Sequence, residues 1–308
     1  MKKTLITLAF AAALPANANT FDPFSDILLF GDSLSDSGNV EALTVGAGGS
    51  WPYNIYPEGQ FTNGDTWATQ IGLAPSLEGG TNYAYGGARA AENGDIIPDL
   101  GTQISQFLTS AASLGANPLA AIWVGGNDFL DLPDAPTPAD LTATIGGILT
   151  AVSDGITDLH AGGIRQFTVF GLPDFGLLPA YRDDPLGAAS ASFSTMLYNQ
   201  SLQDTLSFFD AILTDADIDY FDVAALVDET IANVPPGLAG IRCLEAPVDC
   251  ASNPTNYFFY DDIHPTEWVH AELANECLNH IAPIPLPASA ALLLMSLAAL
   301  GGCARRRK

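Results

Sequence analysis

Ile27-Leu28-Leu29-Phe30-Gly31-Asp32-Ser33-Leu34-Ser35-Asp36-Ser37-Gly38-Asn39 is the stretch on which the reading of this chain turns. Its first four residues form an unbroken apolar run, the pattern of a short strand buried on both faces. Gly, Asp and Ser follow at once, so the chain leaves the strand in a polar turn. A serine just past the end of a buried strand stands on the rim where open α/β sheets bind ligands. Far along the chain, Asp261-Asp262-Ile263-His264-Pro265-Thr266 supplies an imidazole with carboxylates two and three residues before it. A serine hydroxyl is a weak nucleophile that needs a base, and the base needs an orienting group. Ser33 and His264 are therefore the candidate nucleophile and base, with Asp261 or Asp262 to orient the imidazole.

Runs at 81–85, 119–124, 166–171 and 217–222 read as further strands. Segments 64–72, 99–114, 138–161, 187–214 and 265–281 read as helices. In 187–214 the residues Phe193, Met196, Leu197, Ser201, Leu202 and Leu206 recur at helical spacing. Strand alternating with helix predicts a parallel sheet covered on both faces. No repeat or linker divides 21–282, a length that fits one domain. Segments 40–63 and 236–258, rich in Gly, Pro and Asn, read as irregular loops that wall a pocket. Trp51, Tyr53, Tyr56 and Phe61 are its aromatic candidates, although packing is the commoner role for such residues. Gly31 to Leu34, Asn82 to Ala88 and Gly125 to Asp128 each follow a predicted strand, so a parallel sheet would gather them on one edge.

Together these blocks resemble the GDSL hydrolases of the SGNH superfamily, over roughly residues 25–282. The first block of that family's branch reads Gly-Asp-Ser-Leu-Ser-Asp-x-Gly-Asn, and Gly171-Leu172-Pro173 and Tyr198-Asn199 with Leu202 add to the likeness. The resemblance implies an α/β fold, a flavodoxin-like three-layer α/β/α arrangement with a five-stranded, mostly parallel sheet. It also implies acyl-ester chemistry: Ser33 as nucleophile, His264 as base, and Asp261 in preference to Asp262 beside the imidazole. The oxyanion hole would combine the Ser33 N–H, the Gly86 N–H (Gly87 being the alternative) and the Asn127 amide. Protonation of the base would lower activity at acid pH. No cofactor or metal is expected: Asp32, Asp36 and Asp128 lack the spacing of a calcium loop, and no Cys-x-x-Cys pair occurs. Acyl transfer or phospholipase action on the same site is an alternative, as is a non-catalytic surface or matrix protein on the same scaffold.

Both chain ends read as targeting segments. Residues 1–18 carry Lys2 and Lys3, an apolar run from Leu5 to Leu14, and the small-residue site Ala16-Asn17-Ala18, the pattern of a secretory signal. The hydrolase domain then spans 19–282. In 283–308, Pro283, Pro285 and Pro287 precede an uncharged 17-residue run, Ala288 to Ala304, and then Arg305-Arg306-Arg307-Lys308. A helix of that length spans roughly 26 Å, near the lower limit for a bilayer. This tail resembles the PEP-CTERM sorting signal in its Pro-Leu-Pro-Ala variant (Pro285 to Ala288). That implies an exosortase-type protease as partner, membrane contact through this helix only, and a secreted or cell-surface location in a Gram-negative bacterium. A permanent single-span anchor is the plainer alternative.

Between the two ends, four arginines (Arg89, Arg165, Arg182, Arg242) face 35 acidic residues, a net charge of −31. Such a field repels nucleic acid and anionic surfaces. Cys243 and Cys250 are close enough in sequence to pair, which export permits. Cys277 is then left as a buried thiol.

Overall fold

The computed structural model describes residues 24–49, 55–57, 59–110, 113–133 and 136–281. Four parallel strands lie side by side in chain order: β1 (Asp26–Gly31), β2 (Pro118–Trp123), β3 (Gln166–Phe170) and β4 (Asp217–Phe221). Their register sets Gly31 beside Trp123, Ile122 beside Val169 and Phe170 beside Phe221, so the carboxyl ends finish level.

Side chains alternate between two packed layers, as a strand period of two requires. Leu28, Phe30, Ala120, Ile122, Phe167 and Val169 join one cluster with Ile104, Ile148, Val152, Ile156, Leu202 and Leu206. Those partners come from α3 (Leu100–Thr109), α5 (Pro138–Ala161) and α6 (Pro185–Ile212). Ile27, Leu29, Leu119, Ala121, Trp123 and Phe170 join the other cluster with Trp67, Val223 and Leu273. That layer is built by α2 (Trp67–Gln70), α7 (Val223–Ile231) and α9 (Glu267–Ile281). Three short helices complete the rim: α1 (Asn39–Gly46), α4 (Gly126–Leu130) and α8 (Pro247–Ser252).

The three-layer α/β/α arrangement is as expected, but the sheet has four strands, not five. Residues 81–85 run along the free edge of β1 without becoming a strand. Leu29 N–H donates to the Thr81 carbonyl (3.0 Å), Tyr83 N–H to the Leu29 carbonyl (2.7 Å) and Tyr85 N–H to the Gly31 carbonyl (3.1 Å). The Gln103 side chain interrupts regular pairing, because its Oε1 takes the Gly31 N–H (2.9 Å) that a continued ladder would give to the carbonyl of residue 83. The Asn82 side chain ties the far side of the segment to the turn after β1. Its Oδ1 takes the Ala84 N–H (2.9 Å), and its amide donates to the Ser35 carbonyl (2.6 Å) and the Ser37 hydroxyl (2.9 Å). With this segment counted in its place, the order is the 2-1-3-4-5 of flavodoxin-like sheets.

Other boundaries move for local reasons. α6 starts at Pro185 because the Asp184 carboxylate accepts the Gly187 N–H (3.0 Å) and caps it. Phe193, Met196 and Leu197 stand exposed on that helix, and its buried face is Thr195, Tyr198, Asn199, Leu202 and Leu206. α1 and α8 are regular helices inside the two stretches read as irregular. Cys243 and Cys250 are disulfide-bonded, Cα atoms 5.3 Å apart, and Cys277 is free and buried. Phe24, before β1, and Ile281, ending α9, line one hollow at the amino edge of the sheet with Asn117, Gln166 and Asp217. The predicted signal (1–18) and tail (283–308) lie outside the described residues. Among the described residues no helix is long and apolar enough to cross a membrane.

The buried Asp36 carboxylate locks the rim. It accepts four backbone N–H groups: Gly38 (2.8 Å), Asn39 (2.6 Å), Val40 (3.2 Å) and Gly86 (2.9 Å). Burial raises this carboxyl to about 6, against the pull of those four donors. The Asn39 amide adds bonds to the Asn82 (2.8 Å) and Ala84 (2.9 Å) carbonyls. Asp36→Ala strips partners from four amides at once. It should cost about 3 kcal/mol or more of stability, read as a lower denaturant midpoint.

Candidate active site

β1 ends at Gly31, where a Cβ would come within 2.5 Å of the Trp123 carbonyl oxygen, so no other residue fits. Gln103 of α3 satisfies both backbone groups of Gly31, accepting its N–H (2.9 Å) and donating to its carbonyl (2.8 Å). The chain then turns sharply. Ser35 and Asp36 N–H both donate to the Asp32 carbonyl (3.0 Å each), and the Asp32 carboxylate accepts the Leu34 N–H (3.0 Å). Ser33 is the residue this turn presents at the carboxyl edge of the sheet.

The segment before α9 brings the imidazole to it. His264 Nε2 lies 2.8 Å from Ser33 Oγ across 231 positions of sequence. His264 Nδ1 lies 2.9 Å from Asp261 Oδ2. The other Asp261 oxygen accepts the Ile263 (2.9 Å) and His264 (2.8 Å) backbone N–H groups, so one carboxylate fixes both loop and ring. Asp262 turns outward to Arg242 at 2.7 Å.

Burial alone would push the Asp261 carboxyl up. The His264 hydrogen bond and charge, the Tyr56 hydroxyl (2.6 Å) and the Ile263 amide outweigh it and hold the group well below the usual carboxylate range. An ionised Asp261 keeps the ring proton on Nδ1 and leaves Nε2 free to accept from Ser33. Tyr56 and Phe61, two of the aromatics read as possible pocket walls, pack against the imidazole, with centroids 5.8 and 5.6 Å away. Nothing in the spacing of the sequence marked Tyr56 as a partner of Asp261. Trp51 and Tyr53 lie outside the described residues.

Asn127 is the second residue of α4, reached through Gly125 at φ +115°. Its amide donates to the Ala88 carbonyl (2.8 Å), and it lines the same cleft as Ser33 and His264. Gly86 departs from expectation: its N–H is engaged by Asp36, and a Cβ there would strike the Phe61 ring. Gly87 has φ +86° and open space where a Cβ would stand, and no bond takes its N–H among the described residues. Asp128 accepts the Ala90 (2.9 Å) and Ala91 (3.2 Å) N–H groups, so it braces the loop. Of the other histidines, His160 pairs with Asp215 (2.9 Å) and His280 sits 3.8 Å from Asp219.

The empty space of the cleft, open solvent at its mouth included, is about 860 Å³. Among the described residues, and contrary to expectation, the loops 40–63 and 236–258 contribute little to its walls. α4, α7, α9 and residues 173–178 and 258–265 line most of it.

The chain matches the family model of the GDSL-like lipase/acylhydrolases over residues 27–277. It belongs to that family. The family places this GDSL hydrolase among enzymes acting on ester bonds. It is 32% identical over 216 residues to a phosphatidylcholine-sterol acyltransferase of Aeromonas hydrophila, covering 66% of this chain and 60% of that one. This chain thus spans less than two thirds of the Aeromonas protein. It is 28% identical to a GDSL esterase/lipase of Arabidopsis thaliana, covering 81% of this chain and 80% of the relative. Among solved structures, a catalytic mutant of an acetylxylan esterase from Geobacillus stearothermophilus aligns at TM-score 0.46 and 12% identity, covering 84% of this chain and 95% of that one.

Asp32, beside Ser33, is buried, and burial raises its carboxyl to about 7. A carboxyl that holds its proton more tightly when folded favours the folded state at acid pH, and that advantage is lost as pH rises through 7. Asp32→Asn keeps an oxygen for the Leu34 N–H. It should flatten the decline in stability between pH 4 and 8, measured as denaturant midpoints across that range.

Proposed function

We propose that this GDSL hydrolase cleaves carboxylic esters by acyl transfer to Ser33. The observation that carries the reading is the hydrogen-bonded series Ser33 Oγ, His264 Nε2, His264 Nδ1, Asp261 Oδ2, with end links of 2.8 and 2.9 Å. In the first step His264 takes the hydroxyl proton as Ser33 Oγ attacks the ester carbonyl. The proton passes to the departing alkoxide, and the alcohol leaves an acyl-serine. Water, deprotonated by the same imidazole, then attacks the acyl carbon and releases the acid and free Ser33.

The negative charge that develops on the carbonyl oxygen requires donors already in place. We assign these to the Ser33 N–H, the Gly87 N–H and the Asn127 amide, with Gly87 replacing Gly86 because Asp36 engages the latter's N–H. Asp261 stays ionised throughout and stabilises the imidazolium.

Acyl transfer to an alcohol is the second reading. It shares the acyl-serine, and the predominantly apolar lining of the cleft restricts competing water. Export of the enzyme is part of the proposal. It rests on residues 1–18 and 283–308, and the Cys243–Cys250 disulfide suits an oxidising compartment.

Ser33→Ala should abolish both hydrolysis of a chromogenic acyl ester and covalent labelling by a fluorophosphonate. A wild-type protein that neither hydrolyses nor labels would make the chain a non-catalytic scaffold. Asn127→Ala should lower kcat by about 10²–10³. Adding an alcohol acceptor and separating products distinguishes ester formation from hydrolysis.

A further inference from the structure

The cleft extends beyond the reacting groups into an arm between α7 and α9. Val223, Leu226 and Val227 form one side, Val269 and Leu273 the other, and Trp123 from the end of β2 closes against them. Leu226 and Val227 are only partly buried and line the cleft on the α7 side.

The side chains named for the arm carry no charge, and the two carboxylates of the cleft, Asp32 and Asp174, come from the turn after β1 and from residues 173–178 instead. Each of the four arginines of the folded region is tied to a carboxylate: Arg89 to Asp131, Arg165 to Asp215, Arg182 to Glu245, and Arg242 to Asp262. None lines the cleft. His270 of α9 does, but burial and the neighbouring His264 lower its pKa to about 3, so this wall is neutral near pH 7. A phosphate or a carboxylate finds no cation there. An unbranched hydrocarbon finds an uncharged, largely apolar slot that begins beside Ser33.

We propose that this arm is the acyl subsite, that it takes a hydrocarbon chain of about eight carbons or more, and that Leu226, Val227 and Leu273 set the chain length accepted. The inference rests on the ester-hydrolase reading and adds the substrate class to it: esters of medium- to long-chain fatty acids, as opposed to acetyl esters. Chain carbons beyond the first few are sequestered from water between the two helices, while the carbonyl sits at Ser33.

The experiment is a series of 4-nitrophenyl esters with two, four, eight and twelve carbons in the acyl group, assayed on the full chain. Each methylene buried in the arm should raise kcat/KM about fourfold until the slot is filled. Val227→Trp should lower the ratio of octanoyl to acetyl kcat/KM at least tenfold, and Leu273→Ala should move the optimum to a longer chain. A small fluorophosphonate reports in parallel whether Ser33 is still reactive in each variant. If Val227→Trp fails to label, Leu273→Ala decides the outcome alone.

A wild-type preference for acetyl over octanoyl, with labelling intact, overturns the subsite and leaves the ester-hydrolase reading standing. An octanoyl-to-acetyl ratio unmoved by labelled Val227→Trp, with an optimum unmoved by Leu273→Ala, does the same. Absence of both labelling and turnover in the wild type removes the ester-hydrolase reading, and the subsite with it.

Discussion

One buried carboxylate holds together the rim on which Ser33 stands. Asp36 sits where the turn after β1, the start of α1 and the loop after residue 85 converge, and it binds amides from all three. Backbone amides in a buried junction need acceptors, since water cannot reach them. A single Asp supplies two oxygens to four donors where the chain has no strand or helix to do so. The position of Ser33 relative to the glycine loop follows from this junction, because Ser33 and Asp36 belong to the same turn. A catalytic group held by packing and hydrogen bonds needs no reorganisation when charge develops beside it.

The same bond is the ground on which we propose Gly87, not Gly86, as an oxyanion donor. Two adjacent glycines divide their duties: Gly86 passes close under the Phe61 ring and gives its N–H to the scaffold, while Gly87 takes the left-handed conformation and stays uncommitted. A parallel economy operates at Asp261, which receives two loop amides, a tyrosine hydroxyl and the imidazole. Loop conformation and electrostatics of the base are therefore set by one residue, so its loss would disturb both.

The central layer was legible because its signals are local. Ile27 to Phe30 and the Ile122-Trp123-Val124 run are apolar stretches whose burial needs no distant contact, and Leu202 and Leu206 hold the buried face of α6 although Phe193, Met196 and Leu197 do not. Ser33, His264 and Asn127 could be singled out because a parallel sheet carries every strand-end segment to one edge. The failures have a common origin in contacts distant in sequence. Residues 81–85 have strand composition, but Gln103, 72 positions along the chain from Gly31, takes the Gly31 N–H and breaks the ladder. Gly86 and Gly87 are alike in sequence and differ only in what Asp36 reaches. Tyr56 meets Asp261 across 205 positions, with the neighbouring Ile55 carbonyl held by the Tyr260 hydroxyl. The cleft walls were misplaced because α7 and α9 present apolar residues that serve core and slot alike.

The polypeptide enters and leaves the fold side by side. Phe24 and Ile281 share a hollow at the amino edge of the strands, and Ser33 stands at the opposite edge, about 20 Å away by strand length. A tether joined at Phe24 or Ile281 would hold the fold from the edge opposite Ser33. The catalytic mouth then looks outward from the point of attachment, and arriving esters meet it without competing with the tether for space.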